Sequence, residues 1–203
     1  MLNLNLEDIS FGFDETVLNL IKSSDNWSSF LENNLKLDER NDIKKIKGNA
    51  FELLTILFLI NDPIYSTKLR NVWHSSNLPF QILDFLGLQK PEVGVDIIAE
   101  DNEGKYWSIQ CKFHQDVNTN ITYEEVSQFF GITERSSTYQ KLSHRIISTS
   151  SIDLSKKIEK IHPDKLGYIT FADFSNLDTN DFDNFRLLLS GQNISIQERR
   201  PRS

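Results

Sequence analysis

A single cysteine, Cys111, leaves these 203 residues no internal disulfide framework and fits a reducing compartment, the cytoplasm. No apolar run approaches the ~20 residues needed to span a bilayer. The longest, Ile56 to Ile60 inside the stretch 50–60, suits a buried helix. The start of the chain lacks the basic residues and small-residue cleavage site of a secretory signal. Surplus basic charge is missing too: the formal net charge is −7. An autonomous nucleic-acid binder usually carries a basic face, because neutralising phosphates supplies most of its sequence-independent affinity. Any handling of nucleic acid here would rest on a local basic patch or on another domain; the plainer reading is that acidity keeps the protein soluble. There is no Gly-x-x-x-x-Gly-Lys-Ser/Thr phosphate loop and no Gly-x-Ser-x-Gly elbow, which argues against an NTPase or an α/β-hydrolase. His74, His114, His144 and His162 lack metal-ligand spacing. No internal repeat or low-complexity segment is visible.

What is present is a globular composition. Hydrophobic residues make up 38% and aromatics 11%, with 14 phenylalanines, enough for one sizeable core with a small helical appendage. Residues 1–40 read as a helical extension of two short helices, the first starting at Asp14-Glu15 and the second capped by Asp25. A third helix is expected from about Asp42 to Ile60, stopped by Asn61-Asp62-Pro63. Val72-Trp73 marks a first strand, and 83–86 a helical turn. A hairpin is expected at 94–113, a helix from Thr122 ending at Gly131, and a strand at 145–149. A helix at 154–161, a strand at 168–171 and a helix at 181–189 complete the pattern. The order predicts an α/β domain with a mixed central sheet flanked by helices over 41–192. Residues 193–203, with Arg199, Arg200 and Arg202, read as a basic linker.

The chemistry gathers at the hairpin. Val95 to Ala99 and Tyr106 to Phe113 flank the turn-formers Asp101-Asn102-Glu103-Gly104. Strand alternation puts Trp107, Ile109, Cys111 and Phe113 on one face and Ser108, Gln110 and Lys112 on the other. Asp96, alone among apolar neighbours, lies on the adjoining strand. A carboxylate in a buried strand costs several kcal/mol unless it is paired or metal-bound. Asp96, Gln110 and Lys112 together read as a divalent-metal site with a cationic assistant; the plainer reading is a solvent-facing strand edge. Glu52, the only charge from Ala50 to Ile60, faces either an aqueous cleft or solvent at a helix start. Cys111 falls on the apolar face and reads as core. His114, on the strand face of Lys112, is a candidate phosphate contact.

Five segments in this order carry a resemblance: Lys47-Gly48-Asn49-Ala50-Phe51-Glu52, then Asn61-Asp62-Pro63-Ile64-Tyr65-Ser66, Asn71-Val72-Trp73, Gly94-Val95-Asp96-Ile97-Ile98-Ala99-Glu100, and Tyr106-Trp107-Ser108-Ile109-Gln110-Cys111-Lys112-Phe113. Together they resemble the Mrr-like branch of the PD-(D/E)XK nuclease superfamily over about residues 44–175. The nearest likeness is to the nuclease domain at the N-terminus of large predicted helicases and of single-polypeptide restriction-modification translocases. The resemblance implies a restriction-endonuclease-like fold and hydrolysis of DNA dependent on Mg²⁺ or Mn²⁺. It makes Asp96 the metal-ligating aspartate, with Gln110 at the second acidic position and Lys112 as the catalytic lysine. Glu52 would be the helix glutamate that assists the metal through water, and the Cys111 carbonyl a further ligand. Gln128 falls where relatives place another polar residue, a candidate DNA contact. Gln110 in place of Asp or Glu removes one negative charge, so weaker metal binding is expected. The resemblance also implies a covalently linked helicase or translocase domain after the basic tail, in a restriction or defence setting. Two alternatives remain: a nuclease-fold module that binds DNA or a partner without cutting, and a Holliday-junction-resolvase-like enzyme, which would need a homodimer.

Overall fold

The computed structural model describes residues 9, 12–37, 42–88, 94–161 and 164–192. The basic linker at 193–203, residues 89–93 and His162 lie outside them. Five strands form one sheet in the order β1-β2-β3-β4-β5: β1 (Leu69–His74), β2 (Ile97–Asp101), β3 (Tyr106–Lys112), β4 (Leu142–Thr149) and β5 (Leu166–Ile169). The first two pairings are antiparallel and the last two parallel, so the sheet is mixed. Between and around the strands run α1 (Glu15–Lys22), α2 (Trp27–Leu35), α3 (Ile43–Asn61), α4 (Pro63–Ser66), α5 (Phe80–Leu86), α6 (Tyr123–Thr133), α7 (Ser136–Tyr139), α8 (Lys156–Ile161), α9 (Phe171–Phe174) and α10 (Thr179–Leu189).

Each face of the sheet is covered. The odd residues of β3, Trp107, Ile109 and Cys111, pack with Phe113 into a core built on α3, whose second half is buried on all sides. The opposite face buries Ile98 and Ile147 beneath Val126, Phe129 and Phe130 of α6. The two N-terminal helices belong to the first core. Trp27 stacks on Phe30 at 5.7 Å and on Phe174 at 5.3 Å between ring centroids. Burying one such aromatic contributes roughly 1.5–3 kcal/mol, so these helices bear on the stability of the whole sheet.

Local chemistry moves several boundaries from where the pattern put them. The cap of α2 is Asn26, not Asp25: Asn26 Oδ1 accepts from Ser29 N at 2.9 Å while Ser29 Oγ accepts from Asn26 N at 3.0 Å. Helix α6 does not stop at Gly131 but runs to Thr133, whose hydroxyl donates to the Phe129 carbonyl at 2.8 Å. Gly131 is tolerated inside the helix at a cost of about 1 kcal/mol. Phe171 is helical, because Thr170 and Asp173 form a capping box that ends β5 and starts α9. The turn expected at 83–86 is a helix beginning at Phe80. No helix among the described residues is long and apolar enough to cross a membrane.

Candidate active site

Asp96 sits just before β2 and is pinned from both sides. Its carbonyl accepts from Ser75 N at 2.8 Å, and its N–H donates to the Ile109 carbonyl at 3.0 Å. Two residues earlier, Gly94 has φ +102°, and a Cβ there would meet Phe129 N at 3.2 Å. Only glycine fits both that conformation and so close an approach to α6. Asp96 Oδ2 accepts from Cys111 N at 2.7 Å and from the Gln110 amide. Gln110 also reaches the Cys111 carbonyl at 3.3 Å. Among the described residues, Asp96 Oδ1 accepts no hydrogen bond. The expected aspartate, glutamine and Cys111 carbonyl thus come together, with the glutamine's amide nitrogen turned to the acid. Turning that amide over would present its oxygen instead; donor and acceptor ends are distinguished only by the hydrogen-bond network.

Glu52 approaches from α3. It is fixed by His74, the last residue of β1: His74 Nε2 and Glu52 Oε2 are 2.8 Å apart, with side chains 19% and 17% exposed. On its other nitrogen His74 meets Ser76 Oγ at 2.6 Å. The register explains the placement, since His74 pairs with Ile97, the neighbour of Asp96. The sequence pattern passed over His74. The only signal for it was its position ending a strand one step from the aspartate's strand.

These groups set one another's charge. Burial, and then the Glu52 carboxylate, push the Asp96 carboxyl up to about 7, against the pull of the Cys111 N–H, Lys112 and His74. Burial likewise pushes the Cys111 thiol up, so it stays a neutral core residue. Among the described residues, no three His, Cys, Asp or Glu side chains are arranged to hold a metal by themselves. The donor set fits a hard cation even so. Mg²⁺ takes one or two carboxylates and completes its shell with other oxygens, waters and substrate phosphates. A carboxyl raised by burial and by a neighbouring carboxylate is what a divalent charge relieves.

Lys112, on the face of Gln110, lines a groove of about 690 Å³ beside this cluster, with Lys44, Lys47 and Gly48 of α3 and His114 and Glu125 opposite. His114 lies past the end of β3, in the loop, where its Nε2 meets Glu125 Oε1 at 2.7 Å. Its backbone is bridged to Ser150 Oγ at 2.7 and 2.9 Å. His114 is therefore a held wall of the groove. Gln128 is exposed on α6, its Cγ against Gly94, and it makes no hydrogen bond to the acid cluster among the described residues.

A restriction endonuclease family model of the Mrr catalytic type matches residues 60–193. The chain belongs to this restriction endonuclease family. Asp96, Gln110, Lys112 and His74 fall inside the family match, and Glu52 before it. Among solved structures, the chain is similar to the ATP-dependent Type ISP restriction-modification enzyme LlaBIII bound to DNA, with a TM-score of 0.53 and 21% identity over 76% of this chain. At that identity the likeness shows the restriction-endonuclease-like α/β fold alone. The chain spans 9% of the length of that enzyme's chain. No curated protein sequence matches it.

Proposed function

We propose that the chain is a divalent-metal-dependent deoxyribonuclease module that hydrolyses DNA phosphodiesters directly, without a covalent intermediate, in restriction or defence. The single observation that carries this reading is the meeting of Asp96, Gln110 and Glu52, with Asp96 carrying a carboxyl raised to about 7, at the end of a strand that also bears Lys112. Asp96, Gln110, the Cys111 carbonyl and, through water, Glu52 would hold Mg²⁺ or Mn²⁺. When bound, the cation supplies Lewis-acid polarisation of the phosphoryl oxygens. Glu52, kept in one orientation by His74, orders the attacking water. Lys112 offsets the negative charge that builds on the pentacovalent phosphorus, a contribution made mainly in the transition state.

The likeness to an ATP-dependent restriction-modification enzyme supports a second part of the proposal: a helicase or translocase domain works with this module and supplies much of the DNA grip. The net charge of −7 fits that division of labour. The single buried Cys111 fits work in the cytoplasm.

Cleavage of supercoiled plasmid with Mg²⁺ or Mn²⁺ tests the reading. Wild-type protein is expected to nick, and Asp96→Ala and Lys112→Ala to lose nicking. Nicking that survives both substitutions would mean a contaminant or a different site. Metal-independent absence of cutting with intact DNA binding would favour the non-cleaving module, the reading to which the neutral Gln110 leans.

A further inference from the structure

Lys47 is 8% exposed, yet it makes no hydrogen bond or ion pair among the described residues. The stem is packed into the protein while the ammonium stays open to the groove, so an unpaired charge is held where an anion would meet it. Four other lysines, Lys22, Lys36, Lys105 and Lys157, reach acids within 3.7 Å. Lys47 instead lines the groove beside the acid cluster, together with Lys44 one turn earlier on α3 and Lys112. Neither Lys44 nor Lys112 has an ion-pair partner among the described residues.

The groove also holds acids, but they are engaged. Glu125 receives the Thr122 N–H at 2.8 Å and pairs with His114 at 2.7 Å. Asp116 accepts from the backbone and side chain of Asn118, both at 3.0 Å. The N-terminus of α6 is closed by the Thr122–Glu125 capping box, so it offers no free N–H cradle. What remains open is three cations and, between them, Gly48, where an added Cβ would meet nothing within 4 Å. At that point the backbone of α3 lies bare to whatever fills the groove.

We propose that Lys47, with Lys44, anchors a backbone phosphate of the DNA strand next to the one being cut, with Gly48 leaving room for the close approach. This rests on the nuclease reading, because only a strand continuing past Lys112 would thread the groove. Lys47 is a binding residue here and takes no part in the hydrolysis.

Binding of a fluorescent blunt DNA duplex, followed by anisotropy in metal-free buffer over a salt series, tests it without calling on activity. For each lysine lost, the slope of log affinity against log salt is expected to flatten by about 0.9. Lys47→Gln and Lys44→Gln should each show this, Lys47→Arg should keep the wild-type slope, and Lys105→Gln, at the opposite end of β3 from Lys112, should change nothing. Gly48→Glu keeps the test falsifiable if Lys47→Gln fails to fold, since it fills open space with a better helix former. It should weaken binding at least as much as Lys47→Gln while the thermal midpoint holds or rises. Wild-type slopes in Lys47→Gln, or in Gly48→Glu where Lys47→Gln does not fold, would overturn the subsite, as would no salt-dependent binding by the wild type. A wild type that binds in this way but never cuts would overturn the nuclease reading and leave the subsite standing. A protein that cuts, with KM unmoved by Lys47→Gln, would do the reverse.

Discussion

Two aspartates bracket β2, and the protein treats them in opposite ways. The Asp101 carboxylate, at the turn end, accepts four hydrogen bonds: from Glu103 N at 3.0 Å, Lys105 N at 2.9 Å, Trp107 Nε1 at 3.2 Å and Ser143 Oγ at 2.8 Å. Burial alone would raise its carboxyl, but these donors outweigh it and hold the group below the ordinary value. Asp96, at the open end, has two donors on one oxygen, faces Glu52, and is raised to about 7. The same side chain at the two ends of one strand thus closes a turn at one and lies short of donors at the other. That shortfall at the open end is what the proposed metal site rests on.

The contrast is sharpened first by exchanging charge for amide at each end. Asp96→Asn should lower metal-dependent nicking by at least about 10²–10³-fold, the scale on which single transition-state stabilisers act. Its thermal midpoint without metal should not fall. Asp101→Ala should do the opposite: urea denaturation should show a loss of about 3 kcal/mol from stranding several donors, with the nicking rate per folded molecule unchanged. His74→Ala comes next, at about 10–100-fold in rate, the usual effect of losing a group that orients a ligand. His74→Gln, which can still donate to Glu52, should recover part of that rate; equal loss in both variants would break the assignment of His74 as a positioning residue. The two aspartates also differ in their response to pH. Asp96 titrates in the folded protein at about 7 but at about 4 in an unfolded chain. Over that window the folded state holds a proton the unfolded state has lost, so metal-free stability should fall as pH rises from about 4 to 7. Asp101, held low, contributes stability above the ordinary carboxylate range that is lost as pH falls through its folded value. Asp96→Asn should flatten the first slope and leave the second, a result that midpoints across pH would check.

Much of this was legible in the chain because β-structure has a period of two. Alternation alone put Gln110 and Lys112 on one face and Trp107, Ile109 and Cys111 on the other, as found. Asp96 drew notice as a lone acid in an apolar run. The less legible features are those made by tertiary contact. His74 gains its role from Glu52, 22 positions away on α3. Trp27 and Phe30 fall in the stretch that read as a helical extension, yet they pack into the main core through Phe174. Arg145 read as an ordinary strand residue. It is 1% exposed, with Glu134 at 2.9 Å and Phe130 and Tyr139 against its guanidinium, a set assembled from separate segments. Lys47 entered only as the first residue of the segment 47–52, because burial without a partner cannot be read from spacing.

The most direct measurement is a thermal-denaturation series with and without Mn²⁺ above pH 7, on wild type, Asp96→Asn and Asp101→Asn. Ligand binding to the folded state alone raises stability by about 2.7 kcal/mol at a hundred times Kd. The wild type and Asp101→Asn should gain midpoint with Mn²⁺ from their own starting values, and Asp96→Asn should gain none. An equal gain in all three, or none in the wild type, would contradict the claim that the open end of the hairpin is a metal-dependent site.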